Sequence, residues 1–150
     1  MPSCKREQTT ILVVDDHPSV RQLVASAIST ALPDYQVKTV ERGEEAVGAV
    51  TKTPVVAVVM DIGLPGISGI EATRQIKQVF PHLPVIMLSI HEEEQYKADS
   101  MRVGASAYVT KRTMGRDLIP ILERILAAEY TSDYANSLDC SLLGGEVWSG

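Results

Sequence analysis

The chain has 150 residues, close to the commonest size of a single folded domain, so one core is expected and a two-domain enzyme is not. Its 14 Lys and Arg against 19 Asp and Glu leave a net charge of -5, the wrong sign for gripping phosphate backbones, which argues against direct DNA binding by this chain. Hydrophobic residues make up 45%, but the longest apolar run, Val55 to Met60, is too short to span a bilayer, and Asp15 and Asp16 interrupt Ile11 to Val14 before it could act as a signal-peptide core. No membrane partner is expected.

In chain order, short apolar runs alternate with helical patterns, the signature of a parallel sheet with a helix between successive strands. Ile11 to Val14 reads as a first strand, and Ser19 or Val20 through Leu32 as a helix with Val20, Leu23, Val24, Ala27, Ile28 and Ala31 on one stripe. Pro33 and Asp34 end it. Gln36 to Val40 reads as a second strand, Glu44 to Val50 as a short helix, and the continuously apolar Val55 to Met60 as a third strand buried on both faces. A helix over Gly69 to Phe80 presents Ile70, Thr73, Ile76, Lys77 and Phe80 at turn spacing, and Pro84 to Leu88 follows as the fourth strand. Glu92 to Val103 is a polar helix stopped by Gly104 as a C-terminal cap, and Ala107 to Val109 is a short fifth strand. The last helix carries Leu118, Ile121, Leu122, Ile125 and Leu126 on one face; Pro120, which has no N–H, implies that it either begins as late as Asp117 or is kinked. After Ala128 the periodicity fails. The expected division is an N-terminal extension over 1–8, a domain over 9–128, and a tail or start of a linker over 129–150, whose Tyr130, Tyr134, Leu138, Leu142, Leu143 and Trp148 are apolar enough to dock on something. Cys4 and Cys140, the only cysteines, provide no disulfide framework and no metal cluster, which fits a reducing cytoplasm.

The chemistry gathers at the C-terminal ends of the strands, where open α/β sheets bind ligands. Asp15 and Asp16 end the first strand, Asp61 the third and Ser89 the fourth, and Lys111 follows the fifth. Singly each has a bland explanation: an acidic pair after a strand often caps a helix, and a lone lysine is usually a solvated charge. Five at one edge are harder to dismiss. With the first and third strands adjacent, each carboxylate pair at roughly 5 Å would repel by about 3 kcal/mol at an effective dielectric near 20, so a cation is expected there. Carboxylate and carbonyl oxygens suit Mg2+, and Lys111 supplies a second positive charge. An aspartate in such a place can attack phosphorus, and Asp61 on the most apolar strand is the best nucleophile, with Ser89 able to donate to a phosphoryl oxygen.

The runs Val13-Val14-Asp15-Asp16-His17, Met60-Asp61-Ile62-Gly63-Leu64-Pro65-Gly66-Ile67-Ser68-Gly69, Met87-Leu88-Ser89 and Gly104-Ala105-Ser106-Ala107-Tyr108-Val109-Thr110-Lys111, in this order and spacing, resemble the receiver domains of two-component response regulators, most of all those joined to helix-turn-helix output domains. The resemblance covers roughly Thr9 to Ala128. It implies a flavodoxin-like α/β fold: a doubly wound five-stranded parallel sheet of order 2-1-3-4-5 with five helices. It also implies phosphorylation of Asp61 by a sensor histidine kinase or histidine phosphotransfer protein, followed by slow autodephosphorylation, with phosphorylation-dependent homodimerisation as one route to output. Asp16, Asp61 and the Gly63 carbonyl would hold Mg2+ directly and Asp15 through water, Lys111 and Ser89 would bind the phosphoryl group, and Tyr108 would be the aromatic switch that moves with Ser89. A phosphorylation-independent adaptor is the alternative, and the complete acidic set argues against it. A small aspartyl-phosphate phosphatase is disfavoured because its two acids stand two residues apart on the first strand.

Three positions depart from the family pattern. Ile90 follows Ser89 where a small residue is usual, which would narrow the approach to the phosphoryl site. Arg112 replaces the proline that commonly follows the lysine, and since a cis bond without proline costs about 3 kcal/mol, a trans peptide is expected. Gly63 and His91, two positions after Asp61 and Ser89, stand where the family tunes phosphoryl lifetime.

Overall fold

The structure is a computed structural model that describes residues 9–136. The N-terminal extension over 1–8, both cysteines, and the tail residues Leu138, Leu142, Leu143 and Trp148 lie outside the described residues. Five parallel strands, β1 (Thr10–Val14), β2 (Gln36–Val40), β3 (Val55–Asp61), β4 (Val85–Ser89) and β5 (Ala107–Thr110), form one sheet in the order β2-β1-β3-β4-β5. The intervening helices are α1 (Pro18–Ala31), α2 (Gly43–Lys52), α3 (Gly69–Val79), α4 (Glu94–Arg102) and α5 (Met114–Asn136). The expected flavodoxin-like, doubly wound fold is present. The winding reverses between β1 and β3, which pair with Val14 opposite Met60, so the last residues of both strands open into the same crevice.

Strict alternation along the central strands divides the core. Leu12, Val14, Val58, Met60, Val85 and Met87 pack with Ala46, Val50, Ala72 and Ile76 of α2 and α3, whereas Ile11, Val13, Ala57, Val59, Ile86 and Leu88 pack with Val24, Ile28, Leu118, Leu122 and Leu126 of α1 and α5. This is why Val55 to Met60 reads as one uninterrupted apolar run: β3 has no wet face. Among the described residues, no helix is long and apolar enough to cross a membrane.

The helix ends follow local chemistry. α1 opens with Pro18 directly after its N-cap His17, where a missing N–H is harmless. The Ser68 hydroxyl caps α3 by accepting from the Glu71 N–H at 3.1 Å. α4 closes as expected on Gly104, at φ +105, whose N–H donates to Met101 O while Ala105 N–H donates to Ser100 O, both 3.0 Å; this paired return satisfies carbonyls that the helix itself leaves free.

Two expectations needed correcting. The α1 stripe is narrower than its sequence suggests, because a helix lying on a flat sheet touches it along a line: only Val24 and Ile28 are buried, Ala27 and Ala31 are exposed, and Leu23 is 59% exposed. α5 begins at Met114 rather than Asp117 and runs through Pro120. Its first turn is anchored on the Thr113 carbonyl, which accepts from Arg116 N and Asp117 N at 3.0 Å, and the proline is exposed, so the backbone group it fails to satisfy faces the solvent side. The helix continues to Asn136, and no glycine or proline stands between Pro120 and Gly144 to stop it.

Gly69, the first residue of α3, sets the joint between that helix and β3. A Cβ there would overlap the Asp61 carbonyl oxygen and come within 2.8 Å of Ile62 Cα, both rigid backbone. Gly69→Ala is therefore expected to destabilise the fold by about 1–3 kcal/mol in denaturant titrations. Gly115→Ala, whose Cβ would meet nothing within 4 Å, should be neutral or stabilising.

Candidate functional site

The carboxyl ends of β1 and β3 carry the acidic cluster, and that of β5 carries the lysine facing it. The register that places Val13 and Val14 in the core makes Asp15 the first residue past β1, and its N–H still donates to Val40 O at 3.2 Å. Its side chain is only 1% exposed, and the Arg21 guanidinium holds its backbone carbonyl at 2.9 Å. Asp61 closes β3 and is also buried. Lys111 N–H donates to Ser89 O at 2.7 Å, extending the β4–β5 ladder by one bond and aiming the ammonium across the sheet edge. Its Nζ stands 3.0 Å from Asp15 Oδ2 and 3.5 Å from Asp61 Oδ2.

Ligand atoms of Asp15, Asp16, His17 and Asp61 all lie within 4.8 Å of one another. Burial, and then the negative charge of Asp15, raise the Asp61 carboxyl above its ordinary value; Lys111 and the Gly63 N–H, 3.3 Å from Asp61 Oδ1, pull the other way but do not prevail. One ammonium thus does not offset burial and the charge of Asp15 at Asp61. Asp15 Oδ2 and Asp16 Oδ1 are buried and make no hydrogen bond; the 3.0 Å approach of Lys111 to the former is a charge contact without hydrogen-bond direction. A buried Asp16 oxygen without a hydrogen bond, beside an Asp15 oxygen met only by the Lys111 ammonium, in a set of hard donors, fits a divalent cation of the Mg2+ type. Asp15, Asp16 and Asp61 would hold it, with the Gly63 carbonyl at the open turn beside them, where even a Cβ would meet nothing.

The opposite wall is β4 and its loop. Ser89 is buried and its Oγ accepts from the His91 N–H at 3.0 Å. The half-buried Tyr108 donates its hydroxyl to the His91 carbonyl at 2.7 Å; burial raises its phenol above the ordinary value, against a hydrogen bond with Ser89. Both hydroxyls are therefore tied to the backbone of one residue, whose ring stacks on Tyr96 of α4 with centroids 4.1 Å apart. Ile90 is 70% exposed. Among the described residues no peptide bond is cis, so Lys111–Arg112 is trans.

Sequence reasoning assigned no role to several of these groups. His17 joins the acidic cluster through adjacency to Asp16, a signal present in the Asp-Asp-His run. The Arg21 contact follows from one turn of helix. By contrast Arg112 Nε reaches Glu92 Oε2 at 2.8 Å from twenty residues away and lowers the Glu92 carboxyl, a pairing that no local pattern announces. It partly neutralises the acidic run that opens α4, although a pair this exposed contributes little stability.

A doubly wound sheet with an acidic crevice at its switch point defines the class of protein, and comparison with known proteins is specific. The response regulator receiver domain family matches residues 11–123; the chain belongs to that family. The transcriptional activator protein ExaE of Pseudomonas putida is 35% identical over 78% of this chain and 55% of its own length, and the response regulator UvrY of Escherichia coli K12 is 32% identical over 91% and 63%. The chain thus spans between 43% and 63% of the length of such relatives. Among solved structures, a LuxR-family two-component response regulator from Aurantimonas superposes with a TM-score of 0.75 at 35% identity, covering 81% of this chain and 87% of that one. TrrA from Thermotoga maritima, in complex with Mg2+ and BeF, superposes at 0.71 with 30% identity over 79% and 99%.

The raised Asp61 carboxyl has a consequence for stability. Its ionised form is disfavoured in the folded state, so it weakens the fold as pH rises above the ordinary carboxyl value of 3.8 and exerts its full effect once pH exceeds the raised folded value. Asp61→Asn should therefore raise the melting temperature at neutral pH, and the difference from wild type should shrink as pH falls through the raised folded value toward 3.8 and level off below it. Paired thermal melts across that range measure it, and a gap independent of pH would contradict the assignment.

Proposed function

We propose that this chain is a phosphorylation-dependent signalling switch, the receiver of a transcriptional response regulator or a receiver acting alone, in which Asp61 accepts a phosphoryl group from a histidine kinase or histidine phosphotransfer protein. The observation that carries this reading is a buried aspartate at the end of the central strand, facing Lys111 and flanked by Asp15 and Asp16. A carboxylate oxygen of Asp61 attacks phosphorus, the bond from phosphorus to the donor imidazole breaks, and an acyl phosphate forms. Asp16, Asp61 and the Gly63 carbonyl would hold Mg2+, with Asp15 assisting through water, and the ion would supply neutralisation of charge on the transferring group. Lys111 pairs with a phosphoryl oxygen. Ser89 gives up the His91 N–H to donate its hydroxyl to another oxygen, and Tyr108 follows on the same loop.

The added group carries nearly two negative charges, and it shifts the conformational population only by what it gains in the active arrangement over the resting one. Output then passes through the face carrying Tyr108 and α4, by homodimerisation or by contact with an attached domain, without DNA binding by this part of the chain. We take the reducing cytoplasm as its compartment from the cysteine usage. A phosphorylation-independent adaptor is disfavoured, since such a protein has no use for the complete set Asp15, Asp16, Asp61, Ser89 and Lys111.

Incubation with acetyl phosphate and Mg2+ followed by intact mass measurement should give one phosphoryl adduct, absent in Asp61→Asn; multiple turnover of external phosphate esters would point instead to a phosphatase. Two side chains set the rates in this scheme. Ile90→Ala should speed modification by the small donor several-fold, and an unchanged rate would remove Ile90 from the approach path. His91→Ala should alter the rate of dephosphorylation, with Gly63 leaving the attacking water unhindered on the other side.

A further inference from the structure

We propose that the apolar cleft at the amino ends of β3 and β4 is the docking site of this chain's own C-terminal segment, with Leu142, Leu143 and Trp148 as its anchors. The cleft lies at the sheet edge opposite the acidic crevice and holds about 400 Å3 between Val50, Pro54, Val55, Val79, Phe80 and Pro84. The neighbours Val79 and Phe80 are 56% and 38% exposed. Apolar side chains scattered singly over a surface are ordinary, whereas a contiguous apolar cleft marks an interaction site. One wall is preformed. Leu83 N–H donates to Phe80 O at 3.1 Å, the Lys77 ammonium donates to Pro81 O at 3.2 Å, and Pro81 and Pro84 stiffen the turn, so little ordering is needed there on docking.

The C-terminal segment departs from the same edge. α5 starts beyond the carboxyl end of β5 and runs back against the sheet, with Leu126 buried in the cluster that holds Ile11 and Ala57; Val56, which lines the cleft, packs against that cluster too. Ten further residues carry the helix about 15 Å past Leu126 to Asn136. From Asn136, Leu142 is six residues on and Trp148 twelve, reaches of up to about 20 and 40 Å, enough to cover that distance back and cross the sheet edge. Charge agrees with this occupant. The segment carries Asp139 and Glu146, and Lys52 is exposed in the last turn of α2 beside Thr53 of the cleft. The N-terminal extension reaches the same edge, since Thr10 N–H donates to Pro54 O at 3.0 Å, but it is polar after Met1 and Pro2 apart from Cys4, and its Lys5 and Arg6 would meet Lys52. Tethering holds the segment at about millimolar effective concentration, so a contact too weak to persist between separate molecules is populated within one chain.

Trp148 is the only tryptophan, so the unmodified full chain carries its own probe. Acrylamide quenching of its fluorescence should be about threefold weaker than for a free peptide of residues 137–150, at every protein concentration. Cross-relaxation NMR should connect the Trp148 indole protons to the methyl groups of Val55 and Val79. Phe80→Ala should raise quenching toward the value of the peptide. Val79→Glu, at an exposed position where a charge is tolerated and repels Glu146, should do the same, and thermal melts verify that each variant is folded. Quenching equal to that of the peptide, cross-peaks from Trp148 only to residues outside the cleft, or protection kept in the folded variants would overturn the proposal. Cross-peaks from Met1 to the cleft methyls would overturn it in favour of the N-terminal extension, and protection that grows with protein concentration in favour of a second copy.

Discussion

The ammonium of Lys111, set between Asp15 and Asp61, is the interaction on which the rest of the molecule depends. Two nearly water-free carboxylates at adjacent strand ends would force the sheet edge apart or stay protonated without a positive partner. The lysine reaches them only because β5 pairs with β4 in a register that places Thr110 beside Ser89 and Lys111 one step beyond. The strand order β2-β1-β3-β4-β5, the unbroken apolar run of β3 and the shortness of β5 are thus conditions for one ion-pair geometry. In that geometry the Asp61 carboxyl stays raised although the lysine is present, because burial and then the charge of Asp15 outweigh the ion pair. An acidic cluster at a switch point is a receptive site for further cations and for a group that brings its own charge.

The two hydroxyls nearest the crevice report on the same residue. Ser89 accepts from the His91 N–H and Tyr108 donates to the His91 carbonyl, so one residue stands between the Ser89 edge of the crevice and the α4 face. The stack of His91 on Tyr96 and the Arg112–Glu92 pair extend that connection to α4 and to the segment before α5. A local change of hydrogen bonding at Ser89 has a short physical route to an exposed surface, running through contacts that are individually weak and can be exchanged.

The fold and most of the crevice were legible in sequence because both obey short-range rules. Two-sided burial turns β3 into the run Val55 to Met60, and strand ends fall where apolar residues give way to Asp15, Asp61 and Ser89. Gly104 announces its own cap. What escaped depended on geometry that a one-dimensional pattern does not carry. The stripe Val20 to Ala31 overstates the buried face of α1, since period alone does not tell how flat the opposing surface is. Pro120 suggested a late start or a kink for α5, yet the carbonyl it leaves unpaired is cheap where the helix meets water. The Arg112–Glu92 pair and the His91–Tyr96 stack join segments whose proximity exists only once the sheet has assembled.

Gly69 gives the crevice a mechanical polarity. The first turn of α3 rests directly on the carbonyl of Asp61 with no side chain between them, and the Ser68 cap locks that turn in place. Asp61 is thereby seated against a hard stop, and a load applied to it has nowhere to go in that direction. Across the crevice, Ile90 stands out in solvent and the backbone of His91 is held by hydroxyls that can rotate away. The site resembles a vice with one wall of rigid backbone on the α3 side and one wall held by two exchangeable hydrogen bonds on the β4 side.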